Sequence, residues 1–367
     1  MPLALTRLRL SHFRSHKSAD LTPGPGAVAM FGPNGAGKTN LLEAVSLLSP
    51  GRGLRRATAE EIIRRPEALG WVVRADLSTP TGAHEIELRA EPDQPRKTLI
   101  DGKPAAQTDL ARRLRVLWLT PTMDRLWLEG ATERRRFLDR IAMSFAPEHA
   151  DAALAYEKAM RERNRLLKDR ISDDGWFRSL ETQLAQHGQS IKRGREAAVI
   201  RLTKAQAAAQ TAFPTAALTI EDQDTPEGEE AHLDALARGR ARDFAAGRTL
   251  TGPHRSDLIA AFAAKGTPAR QSSTGEQKAL LISLILANAR ALAEDLRAPP
   301  ILLLDEVAAH LDSDRRAALY DEVAALGAQT WMTGTGRDLF SDLGSDAVRY
   351  AVSETGGLST VRPVPPN

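Results

Sequence analysis

One octapeptide restricts this chain more than any other stretch of it. Gly32-Pro33-Asn34-Gly35-Ala36-Gly37-Lys38-Thr39 fits the pattern G-x-x-x-x-G-K-[ST]. Each part of the pattern has a mechanical reason. Glycines let backbone N–H groups turn inward around an anion. Lys38 puts a cation on the β- and γ-phosphates, and the Thr39 hydroxyl is placed to ligate Mg²⁺. The apolar run Ala27-Val28-Ala29-Met30-Phe31 stops at the loop and reads as a buried strand. The helix expected from Asn40 to Leu48 directs its positive end at the same anion. A strand, a glycine-rich loop and a helix in this order predict an α/β fold that binds a nucleotide.

A phosphate loop needs a carboxylate to complete its magnesium site. Ile301-Leu302-Leu303-Leu304-Asp305-Glu306 supplies one at a strand end. Asp305 would hold Mg²⁺ directly or through water. Glu306 is placed to polarise an attacking water as general base. The long gap between Lys38 and Asp305 leaves room for an insertion. The first 110 residues are strand-rich, with alternation from Trp71 to Leu77 and from His84 to Ala90. From Thr132 to about Phe213 the pattern turns helical: Ala153, Tyr156, Met160, Asn164 and Leu167 step by three or four, as do Phe177, Leu180, Leu184, His187 and Ile191. Residues 221–230 form an acidic loop with Pro226 and Gly228. After about residue 248 the α/β pattern returns, with a helix near Gly275–Leu296 and a strand near Gln329–Thr333. This layout predicts one domain, 1–120 plus 248–367, split by a helical lobe at 121–247.

Further motifs carry a resemblance. Ser272-Ser273-Thr274-Gly275-Glu276-Gln277 opens a long apolar helix just ahead of the carboxylate strand. It is similar to the signature loop of ABC-type ATPases, with Ser273 and Gly275 matching. Thr274 and Glu276 stand at the substituted positions. Ala308-Ala309-His310-Leu311-Asp312 resembles the D-loop. Within that superfamily the chain resembles the RecF family, bacterial mediators of recombination and gap repair. Leu8-Arg9-Leu10-Ser11-His12-Phe13-Arg14, Gly130 to Asp139, and Asp305 to Asp312 carry this resemblance, and Thr251 to Asp257 adds to it. Thr132 departs from the family's usual Pro. Pro121 to Asp124 departs in length. No Q-loop glutamine stands out, and Thr333 or Thr335 replaces a switch histidine.

The resemblance implies an ABC-type P-loop ATPase head with an inserted helical lobe, using ATP and Mg²⁺. It implies that Ser273, Thr274, Gly275 and Glu276 reach the γ-phosphate of a second head, with Asp312 in the D-loop. ATP would then drive homodimerisation that clamps DNA, and slow, DNA-stimulated hydrolysis would release it. Duplex and single-strand/duplex junctions, RecR and RecO are the implied partners, and gap repair and SOS induction the implied processes. Beside the loop strand, Arg14 is expected to contact the nucleotide, while Phe13 reads as core.

Composition refines this. Fifty Lys+Arg against 47 Asp+Glu leave a net charge of +3, so bulk charge does not argue for nucleic acid. Forty of the fifty cations are arginines, the side chain suited to bidentate phosphate contacts, although a biased genome produces the same count. The helical faces bearing Arg161, Arg163, Arg165, Lys168, Arg170, Lys192, Arg193 and Arg195 are candidates for DNA phosphates, or else a solvated surface. Zero cysteine excludes disulfides and a Cys-based zinc hook. No apolar run approaches membrane-spanning length and the N-terminus lacks a signal-peptide core, so a cytoplasmic protein is expected. Two other readings are a different SMC-like ABC-type ATPase and a DNA-binding scaffold that keeps ATP as a structural ligand. The short insert leaves no room for a long coiled-coil arm.

Overall fold

The computed structural model describes residues 3–296 and 298–365. Its strands follow the chain as β1 (Ala4–Phe13), β2 (His16–Leu21), β3 (Ala27–Phe31), β4 (Trp71–Thr79), β5 (Gly82–Ala90), β6 (Lys97–Ile100), β7 (Lys103–Pro104), β8 (Val116–Leu119), β9 (Ala216–Glu221), β10 (Asp257–Phe262), β11 (Ile301–Leu304), β12 (Thr330–Gly334), β13 (Val348–Thr355) and β14 (Leu358–Val364). They lie in two compact units. One comprises Met1–Asp124, Ala209–Phe213 and Leu281–Asn367; the other comprises Arg125–Ala208 and Pro214–Leu280.

The first unit holds two six-stranded sheets. One runs in the order β14-β13-β3-β12-β11-β8, parallel from β13 to β8 with β14 antiparallel at its edge. Its inner strands are short and continuously apolar: Val-Leu-Trp-Leu in β8 and Ile-Leu-Leu-Leu in β11 are buried at every position. That pattern belongs to parallel strands covered on both faces. The other sheet is antiparallel, in the order β2-β1-β4-β5-β6-β7. Along β4 buried and more open positions alternate, so only one face meets the core. Leu5, Leu8, Val73, Ile86 and Leu88 from this sheet share a cluster with Val28, Met30, Leu303 and Trp331 from the parallel sheet and with Leu41, Leu42 and Val45 of the Lys38–Ser46 helix. Phe13 is fully buried edge-on against Trp71, with ring centroids 5.7 Å apart.

One amide ties the sheets together. Buried Gln329 donates from Nε2 to the carbonyls of Leu5 (2.8 Å) and Gly24 (2.6 Å). Its Oε1 accepts from the Leu5 N–H (2.9 Å) and Trp331 Nε1 (3.2 Å). All four hydrogen-bonding positions of the amide are therefore used.

The second unit is mainly helical. The helices Ala131–Phe145, Glu148–Lys168, Asp174–Ala208, Glu229–Arg238 and Arg240–Ala246 are joined by the two-stranded β9–β10 ribbon. Tyr156, Leu167, Phe177, Leu180, Leu184 and Ile191, on the stripes read from the sequence, form its core with Leu236. This unit extends to Leu280 rather than ending at 247. β10 pairs with β9, and the Thr251–Asp257 segment is anchored by arginines of the Ala131–Phe145 and Asp174–Ala208 helices. Arg134 pairs bidentately with Asp257 (2.8 and 2.7 Å), Arg135 donates to the Ser256 carbonyl (2.7 Å), and Arg195 donates to the Pro253 carbonyl (2.6 Å) and Ser256 Oγ (2.8 Å). At Gly252, with φ of 132°, an added Cβ would fall 2.3 Å from Tyr156 Oη, which itself bonds His254 Nδ1 at 2.7 Å. The segment locks the helices to the ribbon.

Two of the candidate phosphate ligands prove to be structural. Arg163 is fully buried, bonded to Glu181, Asp243, Thr249 and the Leu236 carbonyl, with its guanidinium over the Phe177 ring. Arg195 pairs bidentately with Asp139 at 2.7 and 2.8 Å. A guanidinium taken out of water needs such partners, and both arginines are committed to the fold. Arg161, Arg165 and Arg193 are exposed, whereas Lys192 is largely covered and pairs with Glu227.

Replacing Gln329 by Leu should strand the Leu5 N–H and two carbonyls, lowering stability by about 3 kcal/mol in urea unfolding; an unchanged midpoint would show that the amide bonds contribute nothing. Asp139 provides a pH test. Burial alone would raise its pKa, but hydrogen bonds from His149 and Arg195 hold it down to about 2, below the ordinary 3.8. Its ionised form therefore stabilises the fold above 3.8, and that stabilisation is lost as pH falls toward 2. Asp139→Asn should be less stable than the parent at neutral pH, with the gap closing across this window.

Candidate functional site: a phosphate loop and a paired carboxylate

β3, β12 and β11 are neighbours and parallel, so their carboxyl ends open at one edge. The crevice outside the carboxyl ends of parallel strands is where open α/β sheets bind ligands. The phosphate loop follows β3, Asp305-Glu306 follows β11, and Thr333 lies near the end of β12 between them.

Two glycines set the loop's shape. Gly37 precedes the helix with φ of 100°, and an added Cβ would lie 2.5 Å from Ser359 Oγ and 2.8 Å from Ser15 Oγ. Gly32 lies so close to the β13 backbone that a Cβ would fall 1.9 Å from the Val352 carbonyl oxygen. Lys38 Nζ donates to the carbonyls of Gly32 (2.7 Å) and Pro33 (2.8 Å), arching over the loop's own backbone. Burial lowers the pKa of its ammonium, against the pull of the Glu306 and Asp305 carboxylates. A cavity of about 140 Å³ is lined by Asn34, Gly35, Gly37, Lys38, Thr39, Asn40, Arg55 and Glu306.

Thr39 Oγ1 donates to Asp305, 3.0 and 3.1 Å from its two carboxylate oxygens. Thr333 Oγ1 donates to Asp305 Oδ1 at 2.7 Å and accepts from the Glu306 N–H at 2.9 Å. One hydroxyl thus fixes both acidic residues. Burial raises the Asp305 pKa and the Glu306 carboxylate adds to the rise, while the Thr333 and Thr39 hydroxyls pull it back. Glu306 has φ of 53°, a left-handed conformation costly for a side-chain-bearing residue. Strain of that kind clusters at functional sites. A hydroxyl and a carboxylate are hard oxygen donors, which suits Mg²⁺, so Thr39 and Asp305 fit that ion. Thr335, the other residue standing in place of the switch histidine, is exposed.

Arg14 is not among the residues lining the loop cavity. It pairs bidentately with Glu43 (2.9 and 2.7 Å) and lines a second cleft of about 800 Å³ that shares Asn40 and Arg55. Glu43 is fully buried on the Lys38–Ser46 helix and also receives Arg55 Nη1 at 3.3 Å, while Arg55 bonds Asn40 Oδ1 at 2.6 Å. Arg55, Glu43 and the linking function of Thr333 do not follow from the sequence motifs. The available signal is Glu43 itself, a carboxylate set within Leu41-Leu42-Glu43-Ala44-Val45.

The signature segment starts the Thr274–Leu296 helix with Ser273, Thr274 and Gly275 exposed. Ser273 and Glu276 form a reciprocal cap: Ser273 Oγ accepts from the Glu276 N–H (3.3 Å), and Glu276 Oε2 accepts from the Ser273 N–H (3.0 Å). Lys265 and this cap hold the Glu276 pKa down to about 2. Asp312 caps the Ser313–Leu326 helix by accepting from the Arg315 N–H at 2.8 Å.

Residues 4–355 match the RecF/RecN/SMC N-terminal domain family. The DNA replication and repair protein RecF of Rhizobium rhizogenes (strain K84) is 45% identical over 365 residues, covering 96% of this chain and 97% of the relative. The chain belongs to the RecF family. A solved structure of the recombination mediator protein RecF with ATP, from the RecFOR pathway, superposes with a TM-score of 0.85 at 23% identity, covering 99% of this chain and 98% of the other. The SMC head bound to the C-terminal winged-helix domain of ScpA gives 0.59 at 16%, covering 98% and 97%. The fold is accordingly that of the RecF and SMC heads, an ABC-type ATPase fold. No described helix is long and apolar enough to cross a membrane.

Thr333→Val should remove both the donor to Asp305 and the acceptor for the Glu306 amide, costing about 2 kcal/mol of stability, with Thr333→Ser close to the parent. Losing that donor raises the Asp305 pKa further, and an acid with a raised folded pKa opposes folding when ionised. The valine deficit in urea unfolding should therefore shrink as pH falls through the raised Asp305 pKa. A deficit independent of pH would sever Thr333 from Asp305.

Proposed function

We propose that this chain is an ATP-dependent DNA-binding protein of recombinational gap repair, in which ATP closes two heads into a clamp and hydrolysis reopens it. The observation that carries the reading is the convergence of Lys38, Thr39, Asp305, Thr333 and Glu306 at the ends of three adjacent parallel strands. Gly32, Pro33, Asn34, Gly35, Ala36 and Gly37 form the loop whose backbone N–H groups meet the phosphates, and Lys38 exchanges its carbonyl partners for phosphate oxygens. Mg²⁺ held by Thr39 and Asp305 would supply neutralisation of phosphate charge. Glu306, held by its own amide on Thr333, accepts the proton of the attacking water. Arg14 acts through Glu43, which with Arg55 braces the helix behind the phosphates.

The exposed Ser273-Thr274-Gly275-Glu276 helix start would meet the γ-phosphate on a second copy, with Asp312 beside that interface. A helix N-terminus favours an anion, which fits the role. Loss of the γ-phosphate then removes the group bridging the two heads. The similar RecF structure holds ATP and belongs to the RecFOR pathway; by family membership RecR and RecO are the proposed partners, and duplex and gap-junction DNA the substrates. Arg161, Arg165 and Arg193 remain candidates for DNA phosphates, and Lys192 only if its Glu227 partner is displaced.

Lys38→Met should abolish ATP hydrolysis. Glu306→Gln should bind ATP yet turn over about 100-fold more slowly or worse, as expected for loss of a general base. In light scattering with ATP and duplex DNA, the glutamine variant should accumulate as a dimer; a monomer under those conditions would sink the clamp.

A further inference from the structure

A second anion-adapted site lies at the β5–β6–β7 end of the antiparallel sheet. A cavity of about 320 Å³ is lined by eight residues, among them Arg89, Arg96, Lys97, Thr98 and Gln107, with no carboxylate among them. Two features of these side chains lack a reason in the fold itself.

Arg96 forms no ion pair among the described residues. Its Nη2 donates to the Gly51 carbonyl at 2.7 Å, and its Nε is buried without a partner. Burial pushes its guanidinium down to about 10, still charged at neutral pH. A half-buried guanidinium with its Nε shut off from water and one carbonyl partner is incompletely satisfied, in contrast to Arg163 and Arg195 in the helical unit. Next, Arg89 and Lys97 stand directly opposite each other across the β5–β6 ladder on its open face. Like charges in that register destabilise a strand pair. Glu87, which pairs with Arg89 at 3.6 Å, is already bonded by Arg74 at 2.6 Å. Three cations and an idle guanidinium N–H are donors suited to a phosphoryl group.

We propose that this cavity binds a phosphodiester of the DNA backbone, with Arg96 as the half-buried ligand and Arg89 and Lys97 as its exposed flank. The assignment rests on the DNA-binding reading above. Binding of this kind carries no sequence information, since it is made to the phosphate alone. It also reaches the nucleotide site by a short route. Arg96 tethers Gly51, and Arg55 in the same loop lines the phosphate-loop cavity. A phosphate drawing Arg96 away from Gly51 would free the loop that carries Arg55.

The test compares the parent with Lys97→Gln and Arg89→Gln, both exposed and safe for folding, and with Arg96→Gln. Binding of a short fluorescein-labelled duplex is measured by anisotropy across a salt series, and ATP binding by a fluorescent ATP analogue. Each variant should weaken duplex binding about tenfold at low salt and flatten the log–log salt slope by about 0.9 for each phosphate interaction removed. ATP binding should be unchanged in Lys97→Gln and Arg89→Gln, whereas Arg96→Gln, which removes the tether to Gly51, is read for duplex binding alone. Parent-like affinity and slope in the exposed variants overturn the site. Inorganic phosphate, followed by ³¹P line broadening, separates the source of the anion: broadening abolished by the variants while duplex binding persists would mark a free-phosphate site and overturn the DNA assignment. If the parent itself binds no duplex with ATP, the functional reading fails instead.

Discussion

The arrangement of the nucleotide site depends on one hydroxyl. Thr333 Oγ1 donates to Asp305 and accepts from the Glu306 N–H, so the strand between the phosphate loop and the carboxylate strand sets the position of both acids. This works only because β12 lies between β3 and β11 in parallel register, with Gly334 beside Phe31 and Leu304 beside Met332. The parallel order in turn requires burial on both faces; the antiparallel sheet and the Lys38–Ser46 helix cover one of them, packing on Val28, Met30, Ile301, Leu303 and Trp331. Gln329, just before the start of β12, ties that end of the strand to β1. A single strand therefore joins the two sheets at one end and orients the site at the other.

Arginine is used in two distinct ways. In the helical unit Arg163, Arg195 and Arg134 are paired with Glu181 and Asp243, Asp139, and Asp257, and their planar donors staple helices that packing alone would leave free to slide. In the first unit Arg14 and Arg55 share the buried Glu43, while Arg96 has no carboxylate partner among the described residues. A near-neutral chain can thus keep a local excess of positive charge, because many of its other arginines are matched by acids.

Much of the fold is legible in the sequence because its signals are local. The apolar runs of β3 and β11, the alternation of β4 and β5 and the stripes through Tyr156 and Phe177 each follow from burial at a fixed period. The phosphate loop and Asp305-Glu306 are legible because their chemistry demands fixed residue types. The features that escape the sequence depend on partners distant along the chain. Gln329 meets Leu5 324 residues away, and nothing at position 329 announces it. β9 is a six-residue strand of mixed burial, Ala-Ala-Leu-Thr-Ile-Glu, whose identity comes from pairing with β10. Arg163 and Arg195 read as surface because a charge at helical spacing does not reveal an acid arriving from another helix.

Those two arginines lead to a more general criterion for this chain. Counting arginines does not find a phosphate surface here, because the guanidinium chosen for phosphate is equally suited to carboxylates inside a protein. What separates the two uses is satisfaction of donors. Arg163 has Glu181, Asp243, Thr249 and a carbonyl around it, and any phosphate approaching it would have to displace two buried carboxylates. Arg96 has one carbonyl, an unpaired Nε and two cationic neighbours on a strand ladder that would be more stable without them. A fold carries such an arrangement at a cost to its own stability, and an external anion is the partner that offsets it.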